Sequence, residues 1–301
     1  MSARTALIIK LNATGDVVRT TTLLQRVADD VTWITAAPNN ELLHNADGRL
    51  RCVEWSERDS VLDREYDLLV NLEDDVACAQ LAAQVRHHRL FGAFLKNGEV
   101  GYSDDSAAWF DLSLISRFGR QRADELKLHN RRTYQDLIFA GLGLTFRGEP
   151  YMLPNASPTP LTGDVAIAPV AGPVWPMKGW AHYDQLKAEL ERTGLTVNVL
   201  PRRPTLPEHL GDIVNHRCLV SGDSLPMHFA LGTATPCVTL FNCTSPWEIY
   251  DYGVQTKLVS PLLERFFYKR GLDETATTAI RLDDVFDAVV ERLKTPAAAA
   301  R

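Results

Sequence analysis

Short apolar runs rich in β-branched residues alternate with longer stretches of helical period along the whole chain. This alternation predicts parallel sheets covered by helices. In the first half, strands are expected at residues 6–11, 31–35, 67–72 and 89–91, and helices at 17–27, 106–117 and 124–141. The pattern breaks once, at "GEPYMLPNASPTPLTG" (148–163), where four prolines lock φ and remove N–H donors. That stretch reads as an extended linker. The alternation restarts at "DVAIAP" (164–169) and continues through a helix at 181–194, which ends in Arg192, Thr193 and Gly194. Strands "TVNVL", "RCLVSGDS" and "PCVTLF" follow, with a short helix opening near Pro226 between the last two. A final amphipathic helix at 283–294 begins on acidic residues and is a candidate to pack back on the first half. Two α/β halves, 1–155 and 156–301, are expected to face each other across a cleft.

Composition narrows the function. The 301 residues exceed what one core usually holds. A formal charge of −6 offers no broad electrostatic grip on nucleic acid or an anionic membrane surface. Five cysteines, odd in number and without a C-x-x-C pair, fit reduced thiols better than a disulfide framework or a zinc site. No apolar run approaches the roughly 18 residues of a membrane span, and the N-terminal "ALIIKL" is interrupted by Lys10. A soluble, cytoplasmic protein is the expectation, with no transmembrane segment and no nucleic-acid partner.

In open parallel sheets, ligands bind beyond the carboxyl ends of strands. Three such ends carry unusual residues. In residues 12–16, Asp16 follows Gly15 in a strand-to-helix turn of the kind that usually presents amides to phosphate. A carboxylate there would repel phosphate and needs another job. In "APVAGPVWPMKGW" (168–180), prolines rigidify a loop carrying Trp175 and a single ammonium, Lys178, suited to neutralising a leaving diphosphate. In "SGDSLPMHF", Gly222, Asp223 and Ser224 run into a helix whose first amides, at Ser224, Leu225 and Met227, suit an anion, with His228 close by. No G-x-G-x-x-G follows the first strand of either half, which disfavours a nicotinamide dehydrogenase.

Three blocks, "IIKLNATGDVVRTTTLL", "APVAGPVWPMKGW" and "SGDSLPMHFALGTATPCVTLFNCTSP", together resemble the sequence blocks of the ADP-heptose:lipopolysaccharide heptosyltransferases, glycosyltransferase family 9, in the right order over essentially the whole chain. The resemblance implies an α/β GT-B fold, two Rossmann-like domains with parallel sheets facing a central cleft. The N-terminal domain would be the acceptor side and the C-terminal domain the nucleotide-sugar side. It implies inverting transfer of a heptose from ADP-heptose to an acceptor hydroxyl, with no metal and no cofactor beyond the donor. Asp16 then matches the catalytic aspartate, Lys178 the phosphate-contacting lysine, and Gly222, Asp223, Pro226 and His228 the donor block. As the base, Asp16 takes the acceptor proton as the hydroxyl attacks the anomeric carbon. Gly15 is expected to supply the tight turn, and Thr14, Gly15, Glu73 and Trp175 are candidate donor or acceptor contacts.

Departures from the family pattern keep two alternatives open. Leu225 replaces a glycine beside the donor, and Asn242 and Cys243 alter a neighbouring loop. These point either to a GT-B enzyme for another nucleotide sugar or to a catalytically silent binding protein. After "VLPRR" no Gly-rich turn or ribose-binding acid is found. On the acceptor side, "NLEDD" (71–75) suggests that Glu73, with Asp74 or Asp75, faces a neutral or cationic acceptor such as an amino-sugar. Trp109, Arg117, Arg120 and Arg122 are candidates for an opposing lid.

Overall fold

The computed structural model describes residues 4–43, 49–112 and 118–294. It separates into two compact units, Met1–Pro154 and Asn155–Arg301. The first holds a six-stranded sheet of β1 (Thr5–Ile9), β2 (Asp30–Thr35), β3 (Leu50–Glu54), β4 (Glu65–Asn71), β5 (Arg86–Lys96) and β6 (Glu99–Tyr102), in the order β3-β2-β1-β4-β5-β6. Every pairing is parallel except the β5–β6 hairpin, whose Asn97-Gly98 turn has φ of 53° and 84° at its two central residues. Positive φ at both positions matches the right-handed twist of the strands and explains the Asn-Gly pair. Helices α1 (Thr14–Thr20), α2 (Val76–Gln84), α3 (Arg120–His129) and α4 (Tyr134–Gly141) accompany the sheet. Ala6, Leu7, Ile8 and Ile9 on the central strand have no exposed surface, as expected of a parallel strand covered on both faces.

The second unit is an all-parallel five-stranded sheet of β7 (Gly163–Ala168), β8 (Val197–Val199), β9 (His216–Gly222), β10 (Cys237–Phe241) and β11 (Gln255–Val259), ordered β11-β10-β9-β7-β8. Its longer helices are α5 (Tyr183–Arg192), α6 (Leu206–Val214), α7 (Leu225–Gly232) and α8 (Leu282–Lys294). Tyr183, Leu186 and Leu190 bury one face of α5 at helical spacing. A capping box of Thr205 and Glu208 starts α6. Val285 and Val289 of α8 lie in the same core as Val220, Val238 and Leu240. The apolar face of this last helix is therefore used inside the second unit.

The strand orders determine where ligands belong. In the first unit the order reverses between β1 and β4, and in the second between β7 and β9. A crevice at the carboxyl ends of such a pair is the usual binding place of an open α/β sheet. Those four ends carry residues 12–16, 71–75, 172–180 and 222–228.

Local structure departs from expectation at several places. The helix expected at 17–27 starts at Thr14 and tightens into a 3-10 turn, Thr21–Gln25. The helix expected at 124–141 is two, because Asn130 turns extended and Thr133 with Asp136 forms a new capping box. The helix expected at 106–117 is the single turn Ala107–Phe110, and residues 113–117 lie outside the described residues. The edge strands β3, β6 and β11 carry too little apolar alternation to have been read from sequence. Among the described residues, no helix is long and apolar enough to cross a membrane.

Gly92 on β5 tests the packing at the end of β4. Its φ is +125°, and a Cβ there would lie 1.9 Å from the Asn71 carbonyl oxygen. Gly92→Ala is expected to destabilise the protein by about 2 kcal/mol or more. Urea denaturation measures this directly.

Candidate functional site

Asp16 lies in the first turn of α1, at the carboxyl end of β1. Its amide donates to the Ala13 carbonyl at 2.6 Å, which closes the turn. The left-handed residue is Ala13, with φ of 56°, and Gly15 sits inside the helix. The turn is thus built on an alanine, which corrects the role expected of Gly15. The Asp16 carboxylate is one-third exposed and pairs with Arg19 Nη2 at 2.9 Å, one helical turn along. Arg19 is mostly buried and its guanidinium lies 3.8 Å from the centre of the Tyr134 ring. The Tyr134 hydroxyl shares a 2.7 Å hydrogen bond with Thr20. Burial, with Asp16 nearby, pushes the Tyr134 phenol well above its ordinary range, so it stays neutral beneath the guanidinium. Thr14 donates to Asn39 Oδ1 at 2.9 Å, and Asn39 Nδ2 donates to the Leu11 carbonyl at 2.6 Å.

The acidic stretch after β4 is occupied internally. Glu73 Oε1 accepts from Lys10 Nζ at 2.7 Å and from the amides of Leu11 and Asn12 at 2.8 and 3.1 Å. Asp75 caps α2 by accepting from the Cys78 amide. Asp74 accepts from the Tyr102 hydroxyl at 3.3 Å. Burial raises the Asp74 carboxyl to about 6, against the opposing effect of that hydrogen bond. Each carboxylate therefore has a partner in its own unit, and Glu73 Oε1 is tied to the backbone at residues 11 and 12.

The second unit brings Lys178 and the Gly222–His228 block together. Lys178 ends the 3-10 turn Pro176–Lys178 after β7, and Asp223 follows β9. Lys178 Nζ and Asp223 Oδ2 are 2.9 Å apart, with 18% and 14% of the side chains exposed. Burial pushes the Asp223 carboxyl upward, but the Lys178 ammonium, His228 and the Thr244 hydroxyl outweigh it and hold the group at about 2. Gly222 is required by the close approach of this loop, since a Cβ would lie 2.5 Å from the Lys178 carbonyl oxygen. Asn242 Nδ2 donates to the Gly179 carbonyl at 2.8 Å and ties the same loop to the end of β10.

Ser224 is the N-cap of α7 and makes no side-chain cap, its hydroxyl instead meeting the Gly222 carbonyl at 3.3 Å. The first amides of the helix, with the dipole behind them, are arranged to receive an anion beside the Lys178 ammonium. Leu225 is half-buried at the first helical position, and Pro226, Met227 and His228 are buried. Met227 has no exposed surface. Trp175 packs edge-on against Tyr268 at 5.4 Å, with the Arg270 guanidinium 5.6 Å from its ring centre.

Several of these partners escaped the sequence reading. Arg19 was accessible as the i+3 partner of Asp16 on a helix. Tyr134, Lys10, Asn39, Tyr268 and Arg270 carry no local signal. Of the lid candidates, Trp109 is buried edge-on against Tyr134 and Phe110, which makes it core. Arg122 pairs with Glu125 on the surface of α3, where Arg120 also sits, and Arg117 lies outside the described residues. Among the described residues, no group of three or more His, Cys, Asp or Glu side chains is placed to hold a metal ion.

Two parallel sheets with their switch-point loops define the fold as GT-B, the two-domain architecture of many glycosyltransferases. Solved structures that it resembles include a family 9 glycosyl transferase and ADP-heptose heptosyltransferases. Over 96% of this chain and 97% of the other, it matches a family 9 glycosyl transferase from Veillonella parvula with a TM-score of 0.68 and 14% identity. The E. coli heptosyltransferase WaaC, solved with ADP-2-deoxy-2-fluoro heptose, matches over 95% and 99% with a TM-score of 0.60 and 14% identity. E. coli ADP-heptose lps heptosyltransferase II matches over 96% and 98% with a TM-score of 0.59 and 16% identity. At these identities the likeness is one of fold. No protein-family model matches the chain, and no curated protein does.

Two titrations follow. A carboxyl whose folded pKa is depressed contributes stability above its unfolded pKa that is lost as pH falls through the folded value. For Asp223 that window runs from about 4 down to about 2. Asp223→Asn is expected to destabilise the protein at pH 7 by about 2 kcal/mol, with the difference from wild type shrinking below pH 4. Asp74 has the opposite sign, because its raised folded pKa costs stability as pH rises from about 4 through about 6. Asp74→Asn is expected to stabilise by about 1 kcal/mol at pH 7, after solvent screening of a half-buried group, and to do little at pH 4. Thermal denaturation across this pH range checks both.

Proposed function

We propose that this chain is an inverting glycosyltransferase that moves a heptose from ADP-heptose to an acceptor hydroxyl without a metal. The observation that carries the reading is the Lys178–Asp223 pair beside the uncapped start of α7, at the switch point of the second unit. An ammonium fixed by a buried carboxylate, next to free helix amides, is a preorganised receptor for a diphosphate whose charge grows as the sugar leaves. The first unit supplies the complementary group. Asp16, oriented by Arg19, accepts the proton of the hydroxyl that attacks the anomeric carbon. Support for ADP-heptose as donor comes from the family 9 fold and from the three sequence blocks.

On the acceptor side the carboxylates of Glu73, Asp74 and Asp75, which follow β4 and each hold one internal partner, support a neutral or cationic acceptor. Half-buried Leu225 at the start of α7 favours the second reading, a different nucleotide sugar on the same machinery.

Release of ADP from ADP-heptose, with water or a sugar hydroxyl as acceptor, is the direct test, run beside GDP-, UDP- and dTDP-sugars. Asp16→Ala is expected to lower turnover by about 10³-fold with donor affinity retained. Lys178→Ala is expected to weaken donor binding and lower turnover by about 10²-fold or more. Turnover is expected to be unchanged in EDTA. Turnover with another nucleotide sugar alone overturns the heptose assignment, and binding of none overturns the enzyme.

A further inference from the structure

We propose that Glu73 is a positioning residue, which holds the turn carrying Asp16 in its working shape. This rests on the reading of Asp16 as the base. The parallel ladder between β1 and β4 ends at the pairing of Ile9 with Asn71, and the Leu72 amide adds one last bond to the Ile9 carbonyl. Beyond it, the chain after β1 must leave the sheet and turn into α1. Leu11 is buried, and an amide left unpaired there is costly. One carboxylate oxygen solves this for two consecutive residues, accepting from the amides of Leu11 and Asn12, while the nearly buried Lys10 ammonium balances its charge. The Glu73 backbone is itself fixed, since its amide donates to Asn71 Oδ1 and Asn71 Nδ2 donates to the Ala93 carbonyl.

The next residue after these amides is Ala13, held left-handed at φ 56°. An L-residue pays about 1 kcal/mol or more for that conformation and keeps it only when its flanks are over-determined. Glu73 fixes one flank. Asn39, bonded to the Leu11 carbonyl and the Thr14 hydroxyl, fixes the other. Three residues beyond Ala13 comes Asp16, so loosening the turn displaces the carboxylate. Misplacement of a reacting group by about 1 Å costs on the order of 10²-fold. Oε1 carries three bonds directed into its own unit, which is what holding the turn requires.

The experiment compares Glu73→Gln and Glu73→Ala, alone and with Asp16→Ala, using ADP-heptose with water as the acceptor. Glu73→Ala is expected to lower kcat by about 10- to 100-fold with the KM for ADP-heptose unchanged. Glu73→Gln keeps an acceptor for the two amides and is expected to recover part of that loss. In the Asp16→Ala background, removing Glu73 is expected to cost nothing further, because it acts through Asp16. Amide hydrogen exchange at Leu11 and Asn12 is expected to accelerate in Glu73→Ala. A KM change at constant kcat, additive losses in the Asp16→Ala background, or unchanged exchange at these two amides each overturns the proposal. Full turnover in Asp16→Ala alone overturns the base assignment instead, and the exchange measurement still decides whether Glu73 holds the turn.

Discussion

A parallel β-ladder must end, and the amides and carbonyls just beyond it lose their strand partners while still close to the core. Both units meet this constraint at the same topological place, the carboxyl ends of the two strands that flank the order reversal. In the first unit Glu73, after β4, takes up the amides after β1. In the second, Gly222 at the end of β9 lets the backbone at Lys178 approach, and Asn242, after the neighbouring strand β10, donates to the Gly179 carbonyl. The residues that finish the sheets are therefore interleaved with those assigned to chemistry. Irregular backbone at these ends is kept in one shape by side chains from neighbouring strands.

Each switch point also carries an ammonium–carboxylate pair, and the two pairs differ in use. Lys10 and Glu73 are turned into the fold, with the carboxylate shared among one charge and two amides. Lys178 and Asp223 form a simpler pair whose neighbours are the first amides of α7. Buried pairs of this kind repay their desolvation only when geometry is good and the remaining bonds are made, and removing one partner strands the other. In the first unit the pair is accounted for by the turn it holds. In the second it fixes a positive charge beside the first amides of α7, the arrangement on which the proposed diphosphate site rests.

Most of the strand and helix order was legible in the sequence, because fully buried parallel strands such as "TALII" and "CVTLF" are continuous apolar runs. Edge strands β3, β6 and β11, with mixed side chains, were not. Asp16, Lys178 and the Gly222–His228 block were legible as residues because they sit in short ordered motifs at strand ends. Their partners were not. Tyr134 is 118 positions from Asp16, and nothing local marks it as the surface on which Arg19 rests. The same holds for Glu73, Asp74 and Asp75, which read in sequence as one acidic cluster and have separate partners in the fold.

The sequence by itself determined two parallel α/β halves, the linker between them and the residue types of the candidate site, since hydrophobic period, proline and capping signals all act over a few neighbouring residues. Only the tertiary structure decided what the charges do: that Asp223 secures Lys178, that Arg19 on Tyr134 orients Asp16, and that Glu73 serves the backbone. Each of these depends on a distance between residues brought together by strand order, and an electrostatic or hydrogen-bond energy that falls away within a few ångströms leaves no trace in linear spacing.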